Sequence, residues 1–189
     1  MAEFGRRAGF RFQYLIDVGV RVPLLAPLTH SRCSIGCSDG SAGSLKHLAE
    51  MVVATPPPLN FRGKFIVEKK GLNEGEFDLK KRGLSPLRDA ARVFALLYGL
   101  KSHHSTGGRW QELAATRPEL AELSALARNG YDLLLRFRSL TGLKRNDDGR
   151  FIDPSTLNRL EREQLANVFD VQRMVQQAVR QHFRLETSR

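Results

Sequence analysis

At 189 residues the chain is long enough for one domain with a real core and short for two ordinary ones. Its 41% hydrophobic and 26% charged residues suit a globular protein, and no apolar run approaches the roughly 18 to 20 residues that span a bilayer, so the expectation is a soluble chain with no membrane partner. A formal net charge of +10 favours polyanionic partners (nucleotides, nucleic acid or an acidic protein surface) without choosing among them.

Early in the chain, Asp17 and Arg21 interrupt the apolar part of residues 1–22 and no small-residue cleavage pattern follows, which argues against a secretory signal. The two cysteines, Cys33 and Cys37, are too few for a disulfide framework, and a reducing cytoplasm is the expected compartment. Residues 1–44 mix short apolar pieces with turn formers and end in "CSIGCSDGSAGS", which cannot bury enough surface to order itself. They are expected to form a loosely ordered arm, with the folded domain at 45–189. A short helix is expected over 45–54, with Leu45, Leu48, Met51 and Val52 on one face, stopped by "TPPPLN" because Pro56 to Pro58 lack amide donors.

"FRGKFIVEKKG" alternates and reads as extended, and "LNEGEF" as a turn. The next stretch, "FDLKKRGLSPLRDAARVFALLYG", changes from charged to apolar at helical spacing. Ser85 is placed to cap a helix, Pro86 suits its first position and Gly99 its end. Leu87, Ala90, Ala91, Phe94, Leu97 and Tyr98 form a broad stripe that Val93 and Leu96 widen toward burial on two sides. After "SHHSTGG" come a short helix near Trp110 to Ala115 and a long one from Pro118 to about Leu140, with Leu120, Leu123, Leu126, Ala127, Leu134 and Phe137 at helical spacing. "KRNDDGRFIDPST" is polar and turn-rich. The last helix starts at "NRLE", where Asn158 and Glu161 have capping-box spacing, and Leu160, Val168, Val171, Val175 and Val179 carry its stripe to about Phe183. Strand signals are scarce, so the expected fold is all-α, a bundle of four to five helices.

Catalytic chemistry finds few candidates. His30, Cys33, Cys37 and His47 are metal-capable types without the spacing of a common zinc module. His103 and His104 read as exposed loop residues before Gly107 and Gly108. "GSAG" at 40–43 lacks the lysine and hydroxyl of a phosphate loop. Asp147 and Asp148 are adjacent in a turn, and the chain contains no Asp-x-Asp pair for two-metal chemistry. The candidate site is instead the basic knot Lys80, Lys81, Arg82 with Gly83, just before a helix N-terminus, where free amides and the macrodipole favour an anion. Asp78 could orient Lys80 or bond a sugar hydroxyl. The plainer alternative is a solvated turn in which Asp78 only pairs with Lys81, a contact worth about 0 to 1 kcal/mol.

"HLAEMVVATPPPLNFRGKFIVEKKG", "FDLKKRGLSPLRDAARVFALLYGL" and "LNRLEREQLANVFDVQRMVQQAV" resemble, in order and spacing over about residues 45 to 185, the C-terminal substrate-binding domain of the nucleotidyltransferases once filed as DUF294. Such proteins are similar to the uridylyltransferases that modify the signal protein PII. The resemblance implies a helical domain that closes over substrate, with Asp78, Lys80, Lys81, Arg82 and Gly83 on the closing surface and Arg88 and Arg92 one and two turns behind. It implies that Mg2+ and a nucleoside triphosphate are held with a separate catalytic domain, and that the acceptor is a nucleotide or a protein. Residues 1–44 lack the Gly-Ser and Asp-x-Asp region expected of that catalytic domain, which implies a truncated or frame-damaged member, or a catalytic half lying elsewhere. The chain alone is then expected to be non-catalytic. The competing readings are a basic module binding nucleic acid, against which stands the absence of a stacking array or recognition helix, and a pure protein-interaction module.

Overall fold

The computed structural model describes residues 39–60 and 62–185. Most of the expected arm, with His30, Cys33 and Cys37, lies outside the described residues, as does Phe61. Five α-helices occur among the described residues: α1 (Asp39–Ala54), α2 (Ser85–Tyr98), α3 (Thr106–Thr116), α4 (Ala121–Arg145) and α5 (Arg159–Phe183). Two short strands, β1 (Phe77–Asp78) and β2 (Phe151–Ile152), pair antiparallel with Phe77 opposite Ile152 and Asp78 opposite Phe151. The all-α expectation holds, and none of these helices is long and apolar enough to cross a membrane.

α2 is the centre of the bundle, touching α1, α3, α4 and α5. Leu87, Ala90, Ala91, Val93, Phe94 and Ala95 are all buried, which explains the wide stripe; Leu96, expected to widen it further, is exposed. Gly99 closes the helix at φ 66°, a left-handed cap that a residue without a Cβ adopts freely. The ring of Phe94 lies 6.0 Å from that of Trp110 on α3. A second aromatic cluster joins Phe65, stacked at 5.4 Å on Phe77, to Phe169 of α5, edge-on to Phe77 at 5.9 Å. This cluster fixes the approach of β1 to the bundle.

Several boundaries differ from those expected, among them the start of α3, at Thr106 rather than near Trp110. α1 begins at Asp39, six residues before the expected start, and Gly43 and Ser44 in this added turn are exposed, so the turn extends the helix beyond the part that packs. Its buried face is Ala49 and Val52, while Met51 is exposed. α4 runs on to Arg145 and ends at left-handed Asn146, φ 54°. Ser85 is not a cap: the chain is already helical from Lys80, in a five-residue π turn (Lys80–Leu84) that flows into α2, with the Ser85 N–H donating to the Lys80 carbonyl. At α5 the capping box is present in both directions, Asn158 accepting from the Glu161 N–H and Glu161 from the Asn158 N–H, but Leu160 is exposed rather than part of the stripe.

The prolines that stop α1 leave carbonyls without helical partners, and α5 supplies the donors. The Gln176 amide donates to the Val52 and Thr55 carbonyls at 2.8 and 2.7 Å, and Arg173 to Leu59 at 2.9 Å.

Candidate functional site

Asp78 sits where β1 turns into the π turn. The first amides of a helix lack intrahelical partners, and one of the two Asp78 oxygens, Oδ1, accepts the Lys81 N–H at 2.7 Å. The other, Oδ2, accepts from Nε and Nη2 of Arg150 at 2.9 and 2.7 Å. The Asp78 side chain is only 6% exposed. Its partner at Lys81 is therefore the backbone amide and not the ammonium, and it neither orients Lys80 nor opens toward solvent. The anion at this helix start is the protein's own carboxylate, so a ligand here would be met by side chains rather than by bare amides.

Gly83 faces inward. A Cβ there would lie 3.1 Å from Leu134 of α4 and 3.2 Å from Phe169 of α5, so the missing side chain lets the π turn press against both helices. Successive residues in a π turn are rotated by about 80°, which puts Lys81 on the side opposite Gly83 and Lys80 and Arg82 on its flanks. Lys80 and Lys81 are exposed and Arg82 is half-buried, and the side chains of all three lack an acidic partner among the described residues. The sequence knot is thus a fan of uncompensated cations rather than a clamp converging on one point.

Arg88 and Arg92 stand on the following turns of α2, and both are held by Asp89. Arg88 bonds it through Nε and Nη2 at 3.0 Å each, and Arg92 through Nη1 at 3.1 Å. The bond to Asp89 raises the Arg88 pKa above its ordinary value against the opposing effect of burial. One carboxylate between two guanidinium groups leaves one positive charge over.

The polar stretch after α4 contributes what sequence reasoning passed over. Gly149, at φ +62°, lies against the Arg138 carbonyl so closely that a Cβ would overlap it. Asp147 Oδ1 accepts the Gly149 N–H at 2.7 Å and Asp148 Oδ1 the Arg150 N–H at 3.1 Å, which folds the loop tightly. The Arg150 carbonyl then accepts the Leu79 N–H at 2.9 Å, and its guanidinium reaches Asp78, 72 residues away in sequence. Hydrogen bonding to Asp78, followed by that carboxylate's charge, raises the Arg150 pKa. Arg145 is fastened to Glu76 at 2.6 Å and to Asp147 at 3.2 Å, and the bond to Glu76 raises its pKa. The signal available in sequence was the Asp-Asp-Gly-Arg turn itself, but nothing in it names Asp78 as the partner. Beside this loop the end of α4 forms an open groove of about 550 Å³, lined by Leu135, Ser139, Leu143, Asn146 and Asp147 among others.

His103 and His104 are exposed in the loop before α3; Ser105 caps that helix by accepting the Gly108 N–H at 3.1 Å. His47 is exposed on α1, 3.6 Å from Glu50. "GSAG" lies within α1. Among the described residues no group of three or more histidine, cysteine, aspartate or glutamate side chains could hold a metal ion.

Fold and site together describe an all-α domain that carries a cationic turn at the entrance to its central helix. The chain belongs to the family DUF294_C, described as "Putative nucleotidyltransferase substrate binding domain", whose model matches residues 42–183. Membership of that family implies a catalytic domain as partner. No curated protein and no solved structure matched the chain.

Proposed function

We propose that this chain holds substrate for a nucleotidyltransferase and does no chemistry alone. It would work beside a catalytic domain that carries the nucleoside triphosphate's Mg2+, in the manner of the uridylyltransferases that modify PII, with a nucleotide or a protein as acceptor. Leaving the metal to that domain is supported by the pair Asp147 and Asp148, which is engaged in its own turn, each Oδ1 accepting a backbone amide and each Oδ2 facing an arginine. The observation that carries the reading is the fan of Lys80, Lys81 and Arg82, uncompensated by any acidic side chain among the described residues on a turn that Asp78, Gly83 and the bundle hold rigid. Such a surface offsets phosphate charge and positions the ligand, and closure onto the catalytic domain would exclude water before attack on the α-phosphate.

The test is calorimetric titration of the purified chain with nucleoside triphosphates at low and high salt. Binding is expected, weakening with salt and in a Lys80→Gln, Lys81→Gln double variant that leaves the fold intact. Equal binding by that variant would remove the turn from the site. A second reading, a protein-interaction module, is favoured by Leu140 and Leu143, 52% and 81% exposed on α4. It predicts self-association or capture of the catalytic domain, abolished by Leu143→Gln, and a chain that stays monomeric at high concentration and ignores the catalytic domain would count against it.

A further inference from the structure

We infer that Arg150 is an oxyanion-binding residue of this chain, its outer guanidinium edge taking a phosphoryl group of a di- or triphosphate that extends along Lys81 and its neighbours. This deepens the proposed function and rests on it.

The geometry places the guanidinium beside the cationic turn. Asp78 bridges the two, accepting the Lys81 amide on one oxygen at 2.7 Å and Arg150 on the other at 2.7 and 2.9 Å, so one carboxylate's width separates the group from the turn. A guanidinium has five N–H donors in a rigid plane. Two are spent on Asp78, and the remaining three have no acceptor among the described residues. The side chain is 43% exposed against 6% for Asp78, so the paired edge is buried and the other edge faces water.

Arg150 is also held in place before any ligand arrives. Its Cζ lies 5.2 Å from the centroid of the Phe151 ring, and its backbone is locked on both sides, the carbonyl to the Leu79 amide at 2.9 Å and the amide to Asp148 at 3.1 Å. An arginine immobilised in this way has already lost the rotamer freedom that a surface lysine loses on binding. Charge follows the same line: Asp78 and Arg150 cancel, leaving Lys80, Lys81 and Arg82 uncompensated by any acidic side chain among the described residues. Because successive members of that run point about 80° apart and its ends about 160° apart, a single phosphate cannot meet them all, whereas a chain of phosphoryl groups can run from the arginine fork toward the outward lysine.

The experiment follows the guanidinium Nη–H resonances of Arg150, which include the three donors Asp78 leaves free, by NMR in the isotope-labelled full chain, assigned through bonds from the Arg150 backbone amide, during titration with inorganic tripolyphosphate and separately with orthophosphate. Expected are a saturable shift with tripolyphosphate, much weaker binding of orthophosphate, and a loss of about tenfold in tripolyphosphate affinity for Arg150→Lys, which keeps the charge but not the fork. If Arg150→Lys and Arg150→Gln bind as the unmodified chain does while Lys80→Gln, Lys81→Gln does not, Arg150 is excluded and the proposed function stands. If the unmodified chain binds neither tripolyphosphate nor a nucleoside triphosphate, both fall. Should a variant fail to fold, the unmodified chain still decides: an Arg150 resonance that does not move at saturating tripolyphosphate overturns the assignment.

Discussion

Replacing Asp78 by alanine separates the structural work of this carboxylate from any part in binding. The substitution removes the acceptor for the Lys81 amide, a cap worth about 1 kcal/mol, and the two bonds to Arg150. Charge-assisted bonds are worth about 1.5 to 3 kcal/mol when buried. Arg150 is 43% exposed and rehydrates when released, so its two bonds add less than a fully buried pair would. Asp78→Ala should therefore cost about 2 to 3 kcal/mol. Arg150→Ala leaves a carboxylate that is 6% exposed with only its cap, and should cost about 2 kcal/mol. In the double variant the stranded charges disappear together, so the two losses should overlap by about 1 to 2 kcal/mol. Urea denaturation of the four proteins, followed by helical circular dichroism, measures this cycle. A coupling below about 0.5 kcal/mol would mean that the pair does not join β1 to the loop after α4, and the reasoning about a braced turn would be wrong.

Two glutamines one turn apart on α5 should respond with opposite signs. Gln172 is fully buried and neither amide atom has a partner among the described residues, so Gln172→Met, of similar shape, should stabilise by about 1 to 3 kcal/mol in urea denaturation, whereas destabilisation would reveal a partner for that amide. Gln176 serves the Val52 and Thr55 carbonyls, and Gln176→Met should destabilise by about 1 to 3 kcal/mol; no loss would show that those carbonyls find other donors. Gly149→Ala combines a positive φ with a clash on the Arg138 carbonyl and should cost about 2 to 4 kcal/mol while freeing Arg150, seen as faster Nε–H exchange than in the parent; a variant as stable as the parent would refute the packed turn. Asn158→Ala should lower stability by about 0.5 to 2 kcal/mol through the capping box alone, with triphosphate binding unchanged in calorimetry; a large binding loss would tie that end of α5 to the site.

Helices whose signals are local were legible in the sequence. The capping box at Asn158 and Glu161, the glycine stop at Gly99 and the valine stripe of α5 each act within a turn or two, so residue spacing carries them. The broad stripe of α2 also foretold its central place, since only a helix touched on several sides needs Val93 and Phe94 buried together. Exposure of individual stripe members was not legible: Met51, Leu96 and Leu160 fit the helical period yet face water, because a stripe's edge is set by where the neighbouring helix ends.

The site divides along the same line. Sequence determined that a basic run precedes an apolar helix, that a glycine follows it, and that the whole is a member of an all-α family. Only the tertiary structure decided that the run is a π turn, that Asp78 caps it from within, and that Gly83 is small because Leu134 and Phe169 press on it. The same holds for Arg150, which reaches Asp78 from 72 residues away. Capping and periodicity are interactions between near neighbours in the chain, whereas an ion pair formed by folding a loop over a helix depends on where two distant backbones meet. No residue spacing encodes that meeting point; the packing of α4 and α5 against the turn sets it.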